Sequence, residues 1–426
     1  MVNHPDSWPD TERVGNELKA AKAFPFGLCA FVLLANFLVA SPTLTPAWGA
    51  TYYVASAGSD INPGTQAAPF RTIQKAADIV NPGDTVLVAD GTYTDTDGNG
   101  FVVYVRKGGT SGNWITFGSQ NKWGAKVDTQ TGAHGWYVSA QYIIIQDFEI
   151  TGGTNNNGAD GIAAGASYLQ VIGNHIHDVG RACMDTAYGN DGIFTDNGVN
   201  HVTIERNIIH DIGRYALGEH GCNPSNAYYQ NHDHGLYLDG GSDYTIRNNI
   251  FYNCNRGWAI HIYPNPSDHI YIYNNTFAFP NPWRSSHIIL TGNLSYVDIA
   301  NNISYTPTTG FISYYDGGVT LSNSQARNNL TYGGTINANP PVPGITFSGN
   351  LDNTDPKLVN PATFNFHPQS GSPAIDAGVA LMEVTTDFDG ITRPQGSAYD
   401  IGAYEYISAA PPDTMPPAAP KGLRVK

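Results

Sequence analysis

From residue 142 onward the chain repeats one short phrase, in which β-branched and polar residues alternate and close on an asparagine. It reads YIIIQDFEI, YLQVIGNHIHD, HVTIERNIIHD, YTIRNNIFYN, IYIYNNTFAF, VDIANNISY, QARNNLTY and ITFSGNLDN. Alternation at period two belongs to strands, not helices. The recurring asparagines are Asn174, Asn207, Asn249, Asn275, Asn302, Asn329 and Asn350, spaced by 33, 42, 26, 27, 27 and 21 residues. A short period broken by longer insertions predicts a solenoid. In a stack of coils each asparagine lies over the next at the strand spacing of about 4.8 Å. Asparagine tolerates left-handed backbone and can hydrogen-bond along such a ladder. The pattern therefore predicts an all-β fold, a right-handed parallel β-helix.

A second strand precedes the asparagine phrase in each coil: DGIAA (160–164), DGIFT (191–195), HGLYL (234–238), WAIHI (258–262) and SHIIL (286–290). Ile162, Ile193, Leu236, Ile260 and Ile288 should stack inward, which turns Ala163, Phe194, Tyr237, His261 and Ile289 outward. At the strand start, Asp160, Asp191, His234, Trp258 and Ser286 should form one column.

Composition adds a compartment and removes some partners. The formal net charge of −15 disfavours nucleic acid and anionic membrane surfaces. FPFGLCAFVLLANFLVA (24–40), preceded by Lys19 and Lys22, has signal-peptide length, and small residues suit cleavage near Gly49 or Ala50. Residues 1–50 are therefore expected to be a leader, and the mature chain, with no membrane span, to be a secreted or cell-surface monomer exported in the bacterial manner. Removal of the leader takes Cys29 and leaves Cys183, Cys222 and Cys254. Cys183 and Cys222 fall in two long insertions that leave the same corner of adjacent coils, so their pairing is the preferred disulfide.

Three segments carry family resemblances. YYVASAGSDINPGTQAAPFRTIQKAADIVNPGDTVLVADGTY (52–93) resembles the N-terminal cap of secreted pectate-lyase-like β-helix proteins, in which a short amphipathic helix, here about 70–80, plugs the solenoid. The middle resembles the generic right-handed β-helix repeat. SGSPAIDAGVALMEVTTDFDGITRPQGSAYDIGAYEY (370–406) is similar to the closing segment of bacterial secreted β-helix proteins with surface anchors. The resemblances imply one domain over 51–406, with a cap at 51–95 and a closing segment at 351–406. The end, PPDTMPPAAPKGLRVK, resembles the start of a fibronectin type III domain, and 407–426 should be a disordered tail.

ADGI, NDGI and HGL also resemble the polygalacturonase pattern of NTDGI, DDCI and GHGL on successive coils. That resemblance puts Asp160 and Asp191 in the acid and base positions and His234 beside them. It departs at Asn190, where the family has another aspartate, and at the RIK motif, which only Arg256 or Arg284 approximates. A glycosidase needs two carboxylates across the scissile bond, while Asp-Gly and His-Gly are also ordinary corner residues. HIHDVGR (175–181) and IIHDIGR (208–214) are near copies, so His177 should lie over His210 and Arg181 over Arg214. Trp258 offers a flat apolar face for a sugar ring.

No lysine occurs between Lys126 and Lys357, so a lyase or epimerase would rely on His234, Tyr237 or His261 for proton transfer. Arg181, Arg214 or Arg256 would then neutralise a uronate carboxylate. The candidate catalytic set is His234, Asp191, Asp160, Tyr237 and His261. The candidate substrate-binding set is Arg181, Arg214, Arg256, His177, His210 and Trp258. No cofactor is implied for certain; DFDG (387–390) with Asp400 could form a calcium site or a turn. The expected function is cleavage of a polysaccharide, with lyase and hydrolase chemistry both open. A non-catalytic glycan-binding or adhesion protein is the alternative.

Overall fold

The computed structural model describes residues 49–129, 133–152, 159–183, 188–223, 228–284, 286–315, 319–337 and 342–408. The expected leader before Gly49 and most of the expected tail lie outside them. Each coil contributes one strand to each of three parallel sheets, of twelve, nine and nine strands. The fold is a right-handed parallel β-helix. In the second sheet Trp136, Ile162, Ile193, Leu236, Ile260, Ile288 and Ile312 stand in register, one per coil. All seven are fully buried, so the inward column read from the sequence is the core of that face. Among the described residues no helix is long and apolar enough to cross a membrane.

The asparagine ladder is continuous from Asn174 to Asn350. Each side-chain carbonyl accepts the backbone N–H and the side-chain N–H of the asparagine one coil earlier, at 2.8–3.1 Å. A buried turn would otherwise strand these amides at about 1–3 kcal/mol each. The residue just before the ladder sits in left-handed backbone: Asn248, Asn274, Asn301 and Asn328 have φ of 54, 52, 58 and 50°. This is the physical reason for the repeated Asn-Asn pair. Asn275→Ala is expected to cost about 3 kcal/mol, because two neighbouring groups lose their partners. Urea unfolding would measure it, and a loss under about 1 kcal/mol would show that the ladder does not hold the coils.

The N-terminal helix is shorter than the sequence suggests, Ile73–Ala77. Thr72 caps it by accepting the Lys75 N–H, and Ile73, Ala76 and Ala77 are buried. Its Gln74 pairs with both backbone groups of Tyr104 on the first strand of the second sheet, Phe101–Val105. The side chain thus replaces a neighbouring strand and blunts an edge that would otherwise template association. The C-terminal segment lies along a flank of the solenoid. Phe366, Ala374, Phe388 and Tyr404 pack on Ile208, Ile250 and Ile303 of the third sheet. The left-handed asparagines tie it down: Asn248, Asn274, Asn301 and Asn328 donate to the carbonyls of Thr386, Asp400, Val379 and Ala377.

Candidate functional site

The column at the start of the second-sheet strands begins one coil earlier than the sequence reading placed it, at His134. It runs His134, Asp160, Asp191, His234, Trp258, and each side chain but the last accepts the backbone N–H of the next residue in line. The distances are 3.1 Å for His134 Nδ1, 2.9 Å for Asp160 Oδ1, 2.7 Å for Asp191 Oδ1 and 3.0 Å for His234 Nδ1. The glycine that follows each polar residue is also structural. A Cβ on Gly161, Gly192 or Gly235 would lie 2.6–2.7 Å from a carbonyl oxygen of the next coil. Asp-Gly and His-Gly are therefore corner chemistry first, and any reaction uses what the corner leaves over.

What it leaves over is directional. A backbone amide only donates, so the Trp258 N–H fixes the lone pair of His234 on Nδ1 and its proton on Nε2. That Nε2–H faces His261 Nδ1 at 3.0 Å. His261 must then carry its own proton on Nε2, and among the described residues this atom has no partner; neither has the indole N–H of Trp258. Both residues are buried, at 4 and 2 % exposure. Two buried N–H donors without acceptors, on rings 5.1 Å apart, are a costly arrangement unless a ligand or water supplies oxygen. His261 points away from the solenoid core as expected, yet it is covered. Tyr263 stacks on it at 5.4 Å, Tyr237 meets it edge-on at 5.0 Å, and Tyr315 lies against Trp258 at 5.9 Å.

The electrostatics follow from burial. Desolvation holds His234 well below the ordinary histidine range, and His261 falls to about 3, so both rings are neutral at neutral pH. Burial and then the Asp160 charge push the Asp191 carboxyl well above the usual range. Burial likewise raises the Tyr237 phenol. His287, also buried, is depressed to about 3. Three histidines that must stay neutral when folded can take protons when unfolded. Their contribution to stability is therefore present above pH 6.5 and is lost as pH falls from 6.5 toward 3. The urea midpoint is expected to drop across that window, with a shallower drop in His287→Phe; a midpoint flat through it would contradict the neutral assignment.

The three arginines expected to meet substrate are each paired with a carboxylate inside the protein. Arg214 is fully buried and pairs with Asp233, also fully buried, at 2.8 Å. Arg181 is held by Asp211 at 3.1 Å and Asp178 at 3.4 Å, and Arg256 by Glu219 at 2.5 Å. Each charge is already neutralised inside the protein, and each guanidinium ties one coil or insertion to another. Trp258 is a buried floor, not an exposed stacking platform. Arg284 is different: it lies over Trp258, its Cζ 5.8 Å from the ring, and among the described residues it pairs with no carboxylate. Its one long hydrogen bond goes to the Gln230 carbonyl, at 3.4 Å. Cys183 and Cys222 form the disulfide between the two insertions, while Cys254 is free and buried.

His177 and His210 stand in register on the third sheet, away from this cluster. The carboxylates of the DFDG turn and Asp400 are already engaged, Asp389 with His367 Nε2 at 3.0 Å. Asp387 accepts the N–H groups of Ile391 and Glu405, and Asp400 those of Asp376 and Tyr406. A groove of about 580 Å³ lies at the other end of the second-sheet strands, lined by Asn200, Ser242, Asp268, Asn293, Ser295 and Thr320 among others. Asp268 is the only ionisable group among its described lining residues.

This fold and site define a class, the right-handed parallel β-helix proteins with a polar corner column. Within it, the chain belongs to the family described as Pel9A-like, right handed beta helix region, whose model matches residues 52–281. Residues 218–353 also match the general right handed beta helix region. Over 266 residues the chain is 23 % identical to the uncharacterized protein YwoF of Bacillus subtilis (strain 168), covering 47 % of this chain and 56 % of that protein. Over 165 residues it is 28 % identical to pectate lyase L of Dickeya dadantii (strain 3937), covering 36 % of this chain and 35 % of that one. It thus matches little more than half of one curated relative and about a third of the other. Among solved structures, that of pectate lyase Pel9A superposes with a TM-score of 0.54 at 18 % identity, over 83 % of this chain and 96 % of that one. That likeness establishes the fold.

Proposed function

We propose that this protein is a secreted enzyme that binds and cleaves a uronate-containing polysaccharide at the Trp258–His261–Arg284 cluster. The observation that carries the reading is a pair of buried N–H donors that have no acceptor among the described residues, beside an arginine that pairs with no carboxylate among them. A sugar carboxylate supplies both the oxygens and the negative charge that this cradle lacks. The names of two similar proteins, pectate lyase L and pectate lyase Pel9A, support the same substrate class.

Elimination is the favoured chemistry. In an elimination the proton beside the carboxylate would pass to hydroxide from solvent as the glycosidic C–O bond breaks; negative charge then builds on the carboxylate oxygens, and fixed N–H donors stabilise it. His261 and Trp258 take the donor role, because the His234 Nε2–H fills the His261 Nδ1 lone pair and leaves the His261 Nε2–H beside the Trp258 indole N–H without acceptors among the described residues. Tyr237, with its phenol raised, is suited to protonating the leaving oxygen. Hydrolysis is the second reading, and one observation favours it: Asp160 and Asp191 stand on adjacent coils, and burial together with the Asp160 charge pushes the Asp191 carboxyl up, as an acid–base pair requires.

The test is binding of a uronate oligosaccharide and of the same oligosaccharide with its carboxyls reduced to alcohols. The expected result is at least about tenfold tighter binding of the uronate, a difference of about 1.4 kcal/mol, erased in Arg284→Gln. Equal affinity for the two ligands would overturn the proposal.

A further inference from the structure

The histidines of the third sheet point to a second site that the proposed function does not use. His177 and His210 pair in register on adjacent coils, with parallel rings 5.1 Å apart. His175 lies two residues earlier on the same strand, hence on the same face, its ring 4.2 Å from that of His177. Each of the paired histidines is held by the aspartate that follows it. Asp178 meets His177 Nδ1 at 2.9 Å, and Asp211 meets His210 Nδ1 at 2.7 Å. A carboxylate accepts, so the Nδ1 protons are fixed and the Nε2 atoms are left to act as ligands. The three ring nitrogens lie within 4.8 Å of one another. His175 Nε2 and His210 Nε2 are 2.8 Å apart, and Glu149 Oε1 is 3.3 Å from His177 Nε2.

We propose that His175, His177 and His210, with Glu149 as a fourth ligand, bind one divalent first-row transition-metal ion of the zinc type. The donor set decides the class, because imidazole nitrogens suit zinc and its neighbours whereas calcium takes oxygen ligands. The span is close to what an ion needs. Two ligands at the usual zinc–nitrogen length of about 2.0–2.1 Å stand at most about 4 Å apart. His175 and His210 already meet that limit, and a small side-chain rotation brings in His177. The rings are packed for it: Trp123 lies against His175 at 5.3 Å, and Tyr252 stacks on His210 at 4.3 Å with Phe364 on its far side at 4.1 Å. The histidine side chains keep 16 and 12 % exposure at His177 and His210, enough for an ion to enter. The bound ion would staple adjacent coils where the C-terminal segment ends its cover.

The experiment is a titration of the full chain, stripped with a chelator, with Zn²⁺ by calorimetry and with Co²⁺ by visible absorption. The expected result is one ion per chain, micromolar or tighter, with Co²⁺ bands of a four- or five-coordinate nitrogen–oxygen site and no competition from Ca²⁺. Asp211→Asn should weaken binding about 10–100-fold, since it releases the ring that presents Nε2, and His210→Gln should weaken it further. His201→Gln, an exposed histidine elsewhere, should change nothing. If His210→Gln does not fold, the wild-type titration and Asp211→Asn still decide. The alternative is a polar cluster in which His175 donates to His210 and His177 to Glu149 with no ion. It predicts no saturable binding up to millimolar Zn²⁺, or binding that the cluster variants leave untouched, and either result overturns the proposal.

Discussion

Replacing His261 by phenylalanine is expected to lower turnover of a uronate polymer by about 10²–10³-fold, the effect of removing one fixed donor from developing negative charge. The ring volume is kept and the stack with Tyr263 remains possible, so the fold should survive. His261→Gln is the informative partner. Its carboxamide can still accept from His234 Nε2–H and still donate outward, so it should retain more activity than the phenylalanine variant. Because both histidines are neutral, the rate should also show no limb near pH 6.5, where an ordinary histidine titrates. Circular dichroism separates these effects from unfolding. Full activity in His261→Phe would remove this residue from the chemistry.

The second large effect concerns stability. Asp233→Ala is expected to cost about 3–5 kcal/mol, the usual penalty for breaking a buried ion pair from one side. Asp233 accepts four hydrogen bonds, from the Arg214 backbone N–H, Nε and Nη2 and from the Asn190 backbone N–H. The variant leaves a fully buried guanidinium without its counter-charge. Replacing both partners by leucine should recover much of the loss, because an apolar pair removes the stranded charge as well as the bond. Urea unfolding of the three variants measures this. A cost under about 1 kcal/mol for Asp233→Ala would mean that Arg214 is not a structural residue.

The fold was legible because its determinants are local and periodic. Asn174 to Asn350 mark one turn per coil, and an apolar residue stands three positions before each of them, from Val171 to Phe347. A parallel stack repeats the same physical demand in every coil, so the sequence states it many times. The site was legible only in outline. Asp160, Asp191 and His234 were readable as a column, yet their backbone-capping role depends on which coil lies above, and His134 in HGWYV (134–138) shares the His-Gly-x-Tyr pattern of HGLYL. The internal pairing of the arginines was not legible for a specific reason: Arg181, Arg214 and Arg256 find Asp211, Asp233 and Glu219 across 30, 19 and 37 residues. Sequence shows that a charge exists but not that it is already spent. Arg284 stands out by pairing with no carboxylate among the described residues, which only the packed structure reveals. The direction of the protons from Trp258 through His234 to His261 is likewise a property of geometry, since the same histidines with a different neighbour would be bases.

The most direct test of the central account is a product assay on the chain from residue 51, across uronate polymers and neutral polysaccharides. It reads new reducing ends together with the ultraviolet absorbance of an unsaturated uronate. The account predicts both signals with a uronate polymer, neither with neutral glycans, and loss of both in His261→Phe and Arg284→Gln. Reducing ends without the absorbance would contradict the elimination chemistry and move the reaction to the Asp160–Asp191 pair. No product and no binding with any uronate polymer would contradict the site itself.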